Sequence, residues 1–421
     1  MSHQLVTGHS ISELELSAFL DEALAGIGRA NEHIVAVVPD DTRSLPMRVV
    51  FDALSRNVAP RGGTLTILIA LGTHPPMSDG QLARHLGPEW NRRPGVRVVQ
   101  HAWKDPGALV RVGTIPGQEL EEISGGLLAE AVPVRINRLA LEADRLLIVN
   151  PVFPHEVVGF SGGHKYFFPG ISGAEMVDVS HWLGALMTNP KVNGHKNTPV
   201  RALIERAAGM IATPRHGIAL VMKGSEPVGA FVDDVYAAWS AAADLSAKTN
   251  IVWTDRAFHT VISVAPEMYR ELWTAGKCMY KLEPIVASGG TLVIYGPHIR
   301  ELSPTHGAWI EQVGYHTRDY FTMQRERFSD VPRGVLAHST HVKGIGTYEK
   351  GVEKARIDVR LATGISKSLC ERVNLGYVDS ATICIEELAG REQEGILVVP
   401  RAGEMLYRLA DGTVPDIDEL M

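Results

Sequence analysis

The sequence predicts an α/β protein: two α/β domains with largely parallel sheets and an active site in the cleft between them. Three observations lead to this prediction. Short β-branched runs alternate with amphipathic segments through most of the chain, which is typical of parallel sheets. At 421 residues, the chain exceeds the size at which one hydrophobic core usually divides. Polar side chains follow several of the apolar runs, where open parallel sheets bind ligands.

The predicted strands are the apolar runs at 33–39, 64–70, 96–100, 145–151, 217–224, 259–266, 291–297, 334–340 and 395–400. The predicted helices include 11–27, 47–59, 199–211 and 235–249, whose apolar residues recur every three and four positions. A polar stretch at 247–260 predicts a boundary, which we place so that the domains are 1–253 and 254–421. Each domain is expected to hold a sheet of four or five strands.

Composition excludes several classes of protein. The formal net charge of −7 gives no basic surface for nucleic acid. The sequence shows no apolar run of membrane-spanning length and no secretory signal. Its cysteines (Cys278, Cys370 and Cys384) lie too far apart for a disulfide framework or a paired zinc motif. We therefore expect a cytoplasmic protein that binds neither nucleic acid nor membrane.

The polar residues at or just after the ends of the apolar runs are the candidate site residues. They are Asp40, Asp41, Thr42, Arg43, Thr73, His74, Asn150, His155, His164, Lys165, His298, His338, His341 and Lys343. Each also has a structural interpretation: a helix cap with a local ion pair, a rigid turn beside proline, or a solvated lysine. Together they predict a cleft suited to acid–base chemistry on a small anion.

Two glycines precede Lys165 and suit a close backbone approach, for example to a phosphate. Gly162 and Gly163 do not complete a G-x-x-x-x-G-K-[ST] or G-x-G-x-x-G motif, so ordinary ATP and NAD modules are not supported. His181, in "DVSHW", is either a packed histidine early in a helix or a single imidazole ligand to a metal.

Four blocks, "DDTR", "GTH", "PHEVVGFSGGHKYFFPG" and "SHW", with a partial fifth, "WTAGKCMYKLEP", carry a resemblance to a known family. In this order and spacing, they resemble the nickel-pincer lactate racemases and their 2-hydroxyacid racemase and epimerase relatives. The resemblance implies an isomerase that inverts C2 by reversible hydride transfer. Its cofactor would be the nickel-pincer nucleotide, a pyridinium-3,5-bisthiocarboxylic acid mononucleotide with nickel.

The resemblance also implies roles for individual residues. Lys165 matches the lysine that binds the cofactor covalently, and His181 matches the histidine ligand of nickel. His74 and His155 match the two catalytic bases. Asp40 and Arg43 match an active-site pair. Thr42, between them, is expected to bind the cofactor, and Gly162 and Gly163 give the nucleotide room. These cofactor residues fall in the first predicted domain.

The substrate segment departs from the lactate racemase pattern. Tyr280 is kept, Lys281 stands where the family has glutamine, and Pro284 stands where it has a lysine. Lys281 or Lys277 is then expected to bind the substrate anion, with His341 and Lys343 as more distant candidates. We expect a 2-hydroxyacid larger or more polar than lactate, such as an aldonate.

Two other functions remain open on the sequence alone. One is a zinc- or iron-dependent hydrolase or lyase of small organic acids that uses the same histidines. The other is a non-catalytic protein that binds a nucleotide or an organic acid. The racemase hypothesis adds partners, because other proteins make the cofactor and load it. The sequence predicts no particular oligomeric state.

Overall fold

A computed structural model describes residues 2–58 and 61–416 of the chain. Its contacts divide the chain into two compact units. The first unit comprises Met1–Phe153, Phe160–Val177 and Pro199–Thr249. The second comprises Pro154–Gly159, Asp178–Thr198 and Asn250–Met421. The predicted domains, 1–253 and 254–421, stay a prediction, and the second unit also takes two segments from the first half of the sequence. The end of the predicted helix 47–59 lies outside the described residues.

The strands, in chain order, are β1 (His3–Val6), β2 (His33–Pro39), β3 (Thr64–Ala70), β4 (Val96–Gln100), β5 (Leu109–Ile115), β6 (Val132–Asn137), β7 (Arg145–Pro151), β8 (Pro154–His155), β9 (Gly159–Phe160), β10 (Arg215–Lys223), β11 (Glu226–Asp233), β12 (Ile251–Thr254), β13 (Phe258–Val264), β14 (Val286–Gly296), β15 (Gly346–Glu349), β16 (Val352–Ala355), β17 (Asp358–Thr363), β18 (Gly376–Tyr377), β19 (Ile396–Val399) and β20 (Leu406–Leu409).

The helices are α1 (Glu13–Ala25), α2 (Met47–Val58), α3 (Asp79–Leu86), α4 (Gly117–Ser124), α5 (Leu139–Glu142), α6 (Ala174–Met187), α7 (Asn189–Val192), α8 (Pro199–Ala208), α9 (Val235–Thr249), α10 (Leu272–Ala275), α11 (Lys277–Tyr280), α12 (Gly307–Val313), α13 (Arg318–Thr322), α14 (Arg333–Lys343), α15 (Lys367–Arg372) and α16 (Ile385–Leu388).

The first unit contains a seven-stranded sheet in the order β1-β11-β10-β7-β2-β3-β4. From β10 to β4 the strands are parallel, and β11 and β1 add an antiparallel edge. The central strands β2, β3 and β7 are buried along most of their length, as their continuous apolar sequences require. The antiparallel edge strands bring this sheet beyond the four or five strands that we predicted.

The order of the strands in this sheet reverses between β2 and β7. The chain runs from β2 outward to β3 and β4, and then continues from β7 to β10 on the other side. Parallel sheets bind ligands at such a switch point, outside the carboxyl ends of the strands. The turn after β2 begins at Asp40, and the segment after β7 leads to Lys165. The topology therefore places predicted site residues of this unit at its ligand-binding edge.

The second unit contains a five-stranded parallel sheet in the order β18-β17-β14-β13-β19. Its order reverses between β13 and β19. The segment after β13 carries Lys277, Tyr280 and Lys281, and the segment after β19 carries Glu404. The fold prediction of an α/β protein with largely parallel sheets is confirmed in both units.

One predicted strand is wrong, because residues 334–340 belong to helix α14. All residues from Gly334 to Val342 are buried. A short apolar run that is buried on every side has the same pattern in a strand and in a helix, so periodicity did not separate the two. The helix places His338 and His341 three positions apart, on neighbouring positions of one face.

The apolar cores lie against the sheets. In the first unit, one core joins α1, α2 and α3 to one face of the sheet, and a second packs Trp239 of α9 against Phe160, Ala219 and Val221. Within the part of the chain that the structure describes, every helix is too short or too polar to cross a bilayer.

Candidate functional site

The clearest chemical arrangement in the first unit is a hydrogen bond between the side chains of His74 and Asp40. His74 Nδ1 lies 2.5 Å from Asp40 Oδ2. The aspartate side chain is 6% exposed and that of the histidine 29%. A carboxylate at Nδ1 fixes the proton there and leaves Nε2 as the nitrogen that accepts a proton. A fixed tautomer on a partly exposed imidazole is the arrangement of a general base.

Neighbouring groups keep Asp40 ionised despite its burial. Burial by itself raises the pKa of this carboxyl group, but the electrostatic interaction and hydrogen bond with His74, the Arg43 guanidinium and the Thr42 hydroxyl hold it well below its ordinary value. Thr42 Oγ1 donates to Asp40 Oδ1 at 2.6 Å, and Arg43 Nη1 donates to Thr42 Oγ1 at 3.0 Å. Hydrogen bonds thus join Asp40, Thr42 and Arg43 of the turn after β2 to His74 of the loop after β3.

The sequence did not single out Tyr166 and His85 as neighbours of this turn. Burial raises the pKa of the Tyr166 hydroxyl, and Arg43 and Asp40 both act on it electrostatically, so the phenol stays protonated beside them. His85 of α3 lies 2.9 Å from the Pro39 carbonyl oxygen, and burial lowers its pKa. Tyr166 therefore adds a protonated hydroxyl group beside Asp40 and Arg43.

Lys165 lies on a short 3-10 helix, Gly163–Tyr166, within a segment that we call the lysine turn (Ser161–Phe168). The other residues of the turn are buried, and Lys165 alone among them is partly exposed. Gly72 N donates to the Gly170 carbonyl oxygen at 3.0 Å, which ties the loop after β3 to the chain just beyond the turn. The loop that carries His74 and the segment that carries Lys165 are therefore joined within one unit.

The two glycines of the turn are required by protein packing. Gly162 has φ 84° and Gly163 has φ 61°, both in the left-handed region that favours glycine. A Cβ on Gly162 would lie 2.3 Å from Asn150 Oδ1, and one on Gly163 would lie 2.9 Å from the Trp239 ring. We expected the missing side chains of the two glycines to leave room for a nucleotide. Asn150 and Trp239 occupy that space instead. Backbone contact with a cofactor stays a prediction.

Arg201 of α8 stabilises the lysine turn through its guanidinium group. Its guanidinium donates to the carbonyl oxygens of Gly162 at 3.1 Å and Phe160 at 2.6 Å, and stacks 4.0 Å from the Trp239 ring centroid. Trp239 Nε1 donates to the Ser161 carbonyl oxygen at 2.8 Å. Sequence reasoning missed Arg201, although a charged residue on the apolar face of an amphipathic helix is a usable signal.

In the second unit, His155 is almost fully buried, at 6% exposure. Its Nδ1 accepts a hydrogen bond from Val157 N at 3.1 Å and lies 3.2 Å from Glu156 Oε2. One nitrogen thus faces both a donor and an acceptor. When Nδ1 accepts from Val157, the ring proton is on Nε2, and when Nδ1 is protonated toward Glu156, Nε2 becomes the base.

Lys281, the expected anion contact, is turned into the protein. It is 1% exposed, and its ammonium group donates to the carbonyl oxygens of Pro154 and Glu404, at 2.5 and 3.0 Å. Because the Pro154 carbonyl belongs to the peptide bond of His155, Lys281 fixes the backbone at the predicted base. Lys281 therefore makes a structural contact that its position in the sequence did not indicate.

His181 lies in the middle of α6 and is partly exposed, whereas the expectation placed it early in the helix. A Cβ on Gly184 would lie 2.9 Å from the Val157 carbonyl oxygen, so the glycine lets α6 approach the segment that carries His155. His338 is buried, and its pKa is held well below the ordinary value by burial and by His341, His306 and His181. The predicted nickel ligand thus lies in a group of histidines.

The remaining substrate candidates are spread over the second unit. Tyr280 is buried, with its ring centroid 6.0 Å from that of His341. The ammonium group of Lys277 lies 4.8 Å from the Tyr269 ring centroid. The ammonium group of Lys343 binds the backbone, because it donates to the Asn374 carbonyl oxygen at 2.7 Å. His298 lies 3.1 Å from the Tyr269 carbonyl oxygen.

Part of the chain is similar in sequence to lactate racemases. The family described as lactate racemase N-terminal domain matches residues 11–193. The chain is 25% identical over 288 residues to a lactate racemase of Lactiplantibacillus plantarum, which covers 65% of this chain and 62% of that protein. It is 28% identical over 160 residues to a lactate racemase of Thermoanaerobacterium thermosaccharolyticum, covering 38% and 34%. The chain therefore spans less than two thirds of the length of each of these curated relatives.

The likeness to solved structures extends over nearly the whole chain. A crystal structure of a Thermotoga maritima protein matches with a TM-score of 0.89 and 33% identity, over 96% of this chain and 100% of that one. The lactate racemase apoprotein from Thermoanaerobacterium thermosaccharolyticum matches with a TM-score of 0.72 and 18% identity, over 95% and 93%. The second comparison shows a shared fold well beyond the segment matched in sequence.

Proposed function

Because this chain is a relative of the lactate racemase family, we propose that it is an isomerase that racemises or epimerises 2-hydroxyacids at C2. The observation that carries the proposal is the 2.5 Å contact between Asp40 and His74 in the first unit. It supplies what inversion at C2 needs first, an imidazole fixed to take the proton of the 2-hydroxyl group.

A second base is needed because the enzyme has to take the hydroxyl proton from both enantiomers of the 2-hydroxyacid. The hydroxyl group lies on a different side of C2 in each enantiomer, so one imidazole does not serve both. We propose that His74 serves one and His155 the other. His155 suits this role because its Nδ1 contacts both Val157 and Glu156, which permits Nε2 to hold a proton or to accept one.

The proposed cofactor is the nickel-pincer nucleotide, and the described residues are compatible with it. Within residues 2–58 and 61–416, no three His, Cys, Asp or Glu side chains lie close enough together to hold a metal ion. The cofactor brings three donor atoms of its own, and square-planar nickel then takes one imidazole. His181 would supply that ligand, and Lys165, the partly exposed residue of the lysine turn, would bind the cofactor covalently.

When bound, the cofactor would accept the C2 hydrogen with its electron pair and return it. The chain itself has to bind and orient the acid. Arg43, beside the ionised Asp40, is the proposed contact for the substrate carboxylate, since a guanidinium pairs with a carboxylate through two hydrogen bonds. Tyr166 would add a protonated hydroxyl group at the same place.

We further propose a substrate larger or more polar than lactate. The support is Pro284, which offers no charge, and Lys281, whose ammonium group is held by two backbone carbonyl oxygens. The partners of the protein would be a small 2-hydroxyacid and the proteins that make and load the cofactor.

The proposal is tested by loading the protein in a host that makes the cofactor. We expect about one nickel ion per chain, an added mass on the peptide that contains Lys165, and interconversion of the enantiomers of a 2-hydroxyacid. Lys165→Ala is expected to lose the added mass and His181→Ala to lose nickel. Lys223→Ala, which changes an exposed lysine of the same unit, serves as the control and should keep both.

Zinc in place of nickel, or a loaded protein that inverts no acid in a panel from lactate to aldonates, would contradict the proposal. Full racemisation by a His74→Ala, His155→Ala double variant would refute the two-base mechanism while leaving the cofactor assignment in place.

A further inference from the structure

A small cavity lies in the second unit, close to the predicted nickel ligand. It is lined by Ala185, which follows His181 by four residues on α6, and by Thr188, His341, Arg318 and Glu283. Residues four apart share one face of a helix, so the cavity begins one turn from His181. Its volume of about 10 Å³ accommodates one group of the size of a water molecule.

Two polar atoms of the cavity wall have no hydrogen-bond partner among the described residues. They are Thr188 Oγ1 and His341 Nε2. Both residues are more than nine-tenths buried, at 5% and 4% exposure. Buried polar atoms are almost always paired, so an unpaired hydroxyl and an unpaired imidazole nitrogen on one cavity indicate a ligand atom that completes them.

The backbone of Thr188 gives an independent indication. Its φ of 72° lies in the left-handed region, which β-branched residues rarely adopt. Such strained positions persist where the surrounding structure requires them, and they concentrate at binding sites. Here the strained residue is the same one that lines the cavity and carries an unpaired hydroxyl group.

The charges around the cavity favour an uncharged ligand group. Arg318 is paired with Asp319 at 2.9 Å and donates to the Leu186 carbonyl oxygen at 3.0 Å. Burial lowers the pKa of His341 to about 4, so its imidazole is neutral near pH 7. The Glu283 carboxyl group is on the same wall, where it accepts from Ile345 N at 2.7 Å. A carboxylate entering the cavity would be repelled by the acidic Glu283, and Arg318 is already paired with Asp319. An uncharged hydroxyl group would not be repelled.

We propose that this cavity binds a hydroxyl group on the substituent of a 2-hydroxyacid, through Thr188 Oγ1 and His341 Nε2. The inference rests on the proposed function and names the residues that select its substrate. A hydroxyl group both donates and accepts, so it satisfies the two unpaired atoms together. A methyl group at the same place leaves both unpaired, and a site built to bind a hydroxyl group discriminates strongly against such an analogue.

The test uses acids that differ by one hydroxyl group. The pairs are glycerate with lactate, and 2,4-dihydroxybutanoate with 2-hydroxybutanoate. Dissociation constants are measured by calorimetry on the loaded protein, with racemic acids so that turnover does not change their composition. In at least one pair, we expect the hydroxylated acid to bind at least about tenfold more tightly.

Variants assign that preference to the cavity. Thr188→Val keeps the shape of the side chain and removes the hydroxyl group, so the preference should fall to within about twofold, while Thr188→Ser should retain it. His341→Leu should give the same loss and provides the test if Thr188→Val does not fold. Tyr315→Phe removes an unpaired buried hydroxyl group that does not line the cavity, and it should keep the preference.

Equal affinity within both pairs, or a preference that survives in both Thr188→Val and His341→Leu, would overturn the inference. Failure of the proposed function gives a different result. A loaded protein that prefers the hydroxylated acid but inverts neither member of a pair retains the hydroxyl site and is not a racemase of these acids.

Discussion

Two neighbouring segments of the chain, Pro154–Gly159 and the lysine turn, belong to different units. The same kind of hydrogen bond stabilises both. A buried cation donates to one backbone carbonyl oxygen in each: Lys281 to that of Pro154, and Arg201 to that of Gly162. Arg201 also has an acidic neighbour, Glu205 at 3.6 Å, and the face of Trp239. Each of these two basic residues therefore binds a backbone carbonyl group close to a predicted functional residue.

The two predicted bases differ more than their supports do. His74 presents Nδ1 to the ionised carboxylate of Asp40, which fixes one tautomer. His155 presents Nδ1 to the Val157 amide and to Glu156, which permits two. We therefore expect activity to depend strongly on Asp40 and only weakly on Glu156.

The largest effect is expected for Asp40→Asn. An amide in place of the carboxylate no longer favours the proton on Nδ1 of His74, and a change of this kind beside a catalytic histidine costs about 10³-fold or more in turnover. Steady-state rates of enantiomer interconversion measure it. Asp41→Asn is the matched control, because Asp41 pairs with Gln81 at 3.0 Å, and it should lose less than about tenfold. Equal losses in the two variants would refute the assigned role of Asp40.

The same variant has a pH signature in stability. The folded-state pKa of Asp40 lies below the ordinary carboxyl value, so its contribution to folding is fully present above about pH 4. It is lost as the pH falls through the lowered value. The difference in unfolding free energy between wild type and Asp40→Asn should therefore shrink below about pH 4, as measured by urea unfolding.

Arg201→Gln tests the support of the lysine turn. It leaves two carbonyl oxygens without their guanidinium donor, so we expect the free energy of unfolding to fall by about 3 kcal/mol and less cofactor to bind at Lys165. Denaturant titration and intact mass measure the two effects. Arg206→Gln on the same helix breaks only an exposed pair with Glu119 and should cost less than about 1 kcal/mol. Similar losses in both variants would contradict a special role for Arg201.

Lys281→Met separates the substrate contact expected from the sequence from the backbone contact seen in the structure. If Lys281 positions His155, kcat should fall by about 10²-fold with little change in KM, because small misplacement of a catalytic group costs about that much. A raised KM with unchanged kcat would instead restore Lys281 as a substrate contact.

The smallest effect is expected for Glu156→Gln. The Val157 amide still holds His155 in place, and only the acidic acceptor is lost, so turnover should fall by about tenfold. The same steady-state measurement checks it. A loss as large as that of Asp40→Asn would show that the two bases are held alike.

Much of this architecture follows from the sequence, and the failures have physical causes. The apolar runs at 33–39, 64–70 and 145–151 predicted the central strands. Asp40 and His74 were both among the candidate site residues that follow these runs, but their contact with each other was not predicted. The run at 334–340 misled because a fully buried helix and a buried strand have the same composition. The edge strand β1 was missed because it has only four residues, and β11 was missed because Pro227 and Gly229 interrupt its apolar sequence.

Long-range partners were beyond sequence reasoning. Arg201 lies about forty residues after the turn that it supports, and Lys281 lies 127 residues from the carbonyl group that it binds. Nothing local to either residue shows the partner. The unpaired atoms of Thr188 and His341 were equally hidden, because burial and hydrogen bonding are properties of the folded chain.

The measurement that tests the central claim most directly is inversion of a single enantiomer of an accepted 2-hydroxyacid by the loaded protein in D₂O. Hydride transfer predicts that C2 inverts and keeps its original hydrogen, since that atom never exchanges with solvent. Deuterium at C2 of the inverted product would show removal as a proton and would contradict the proposed mechanism.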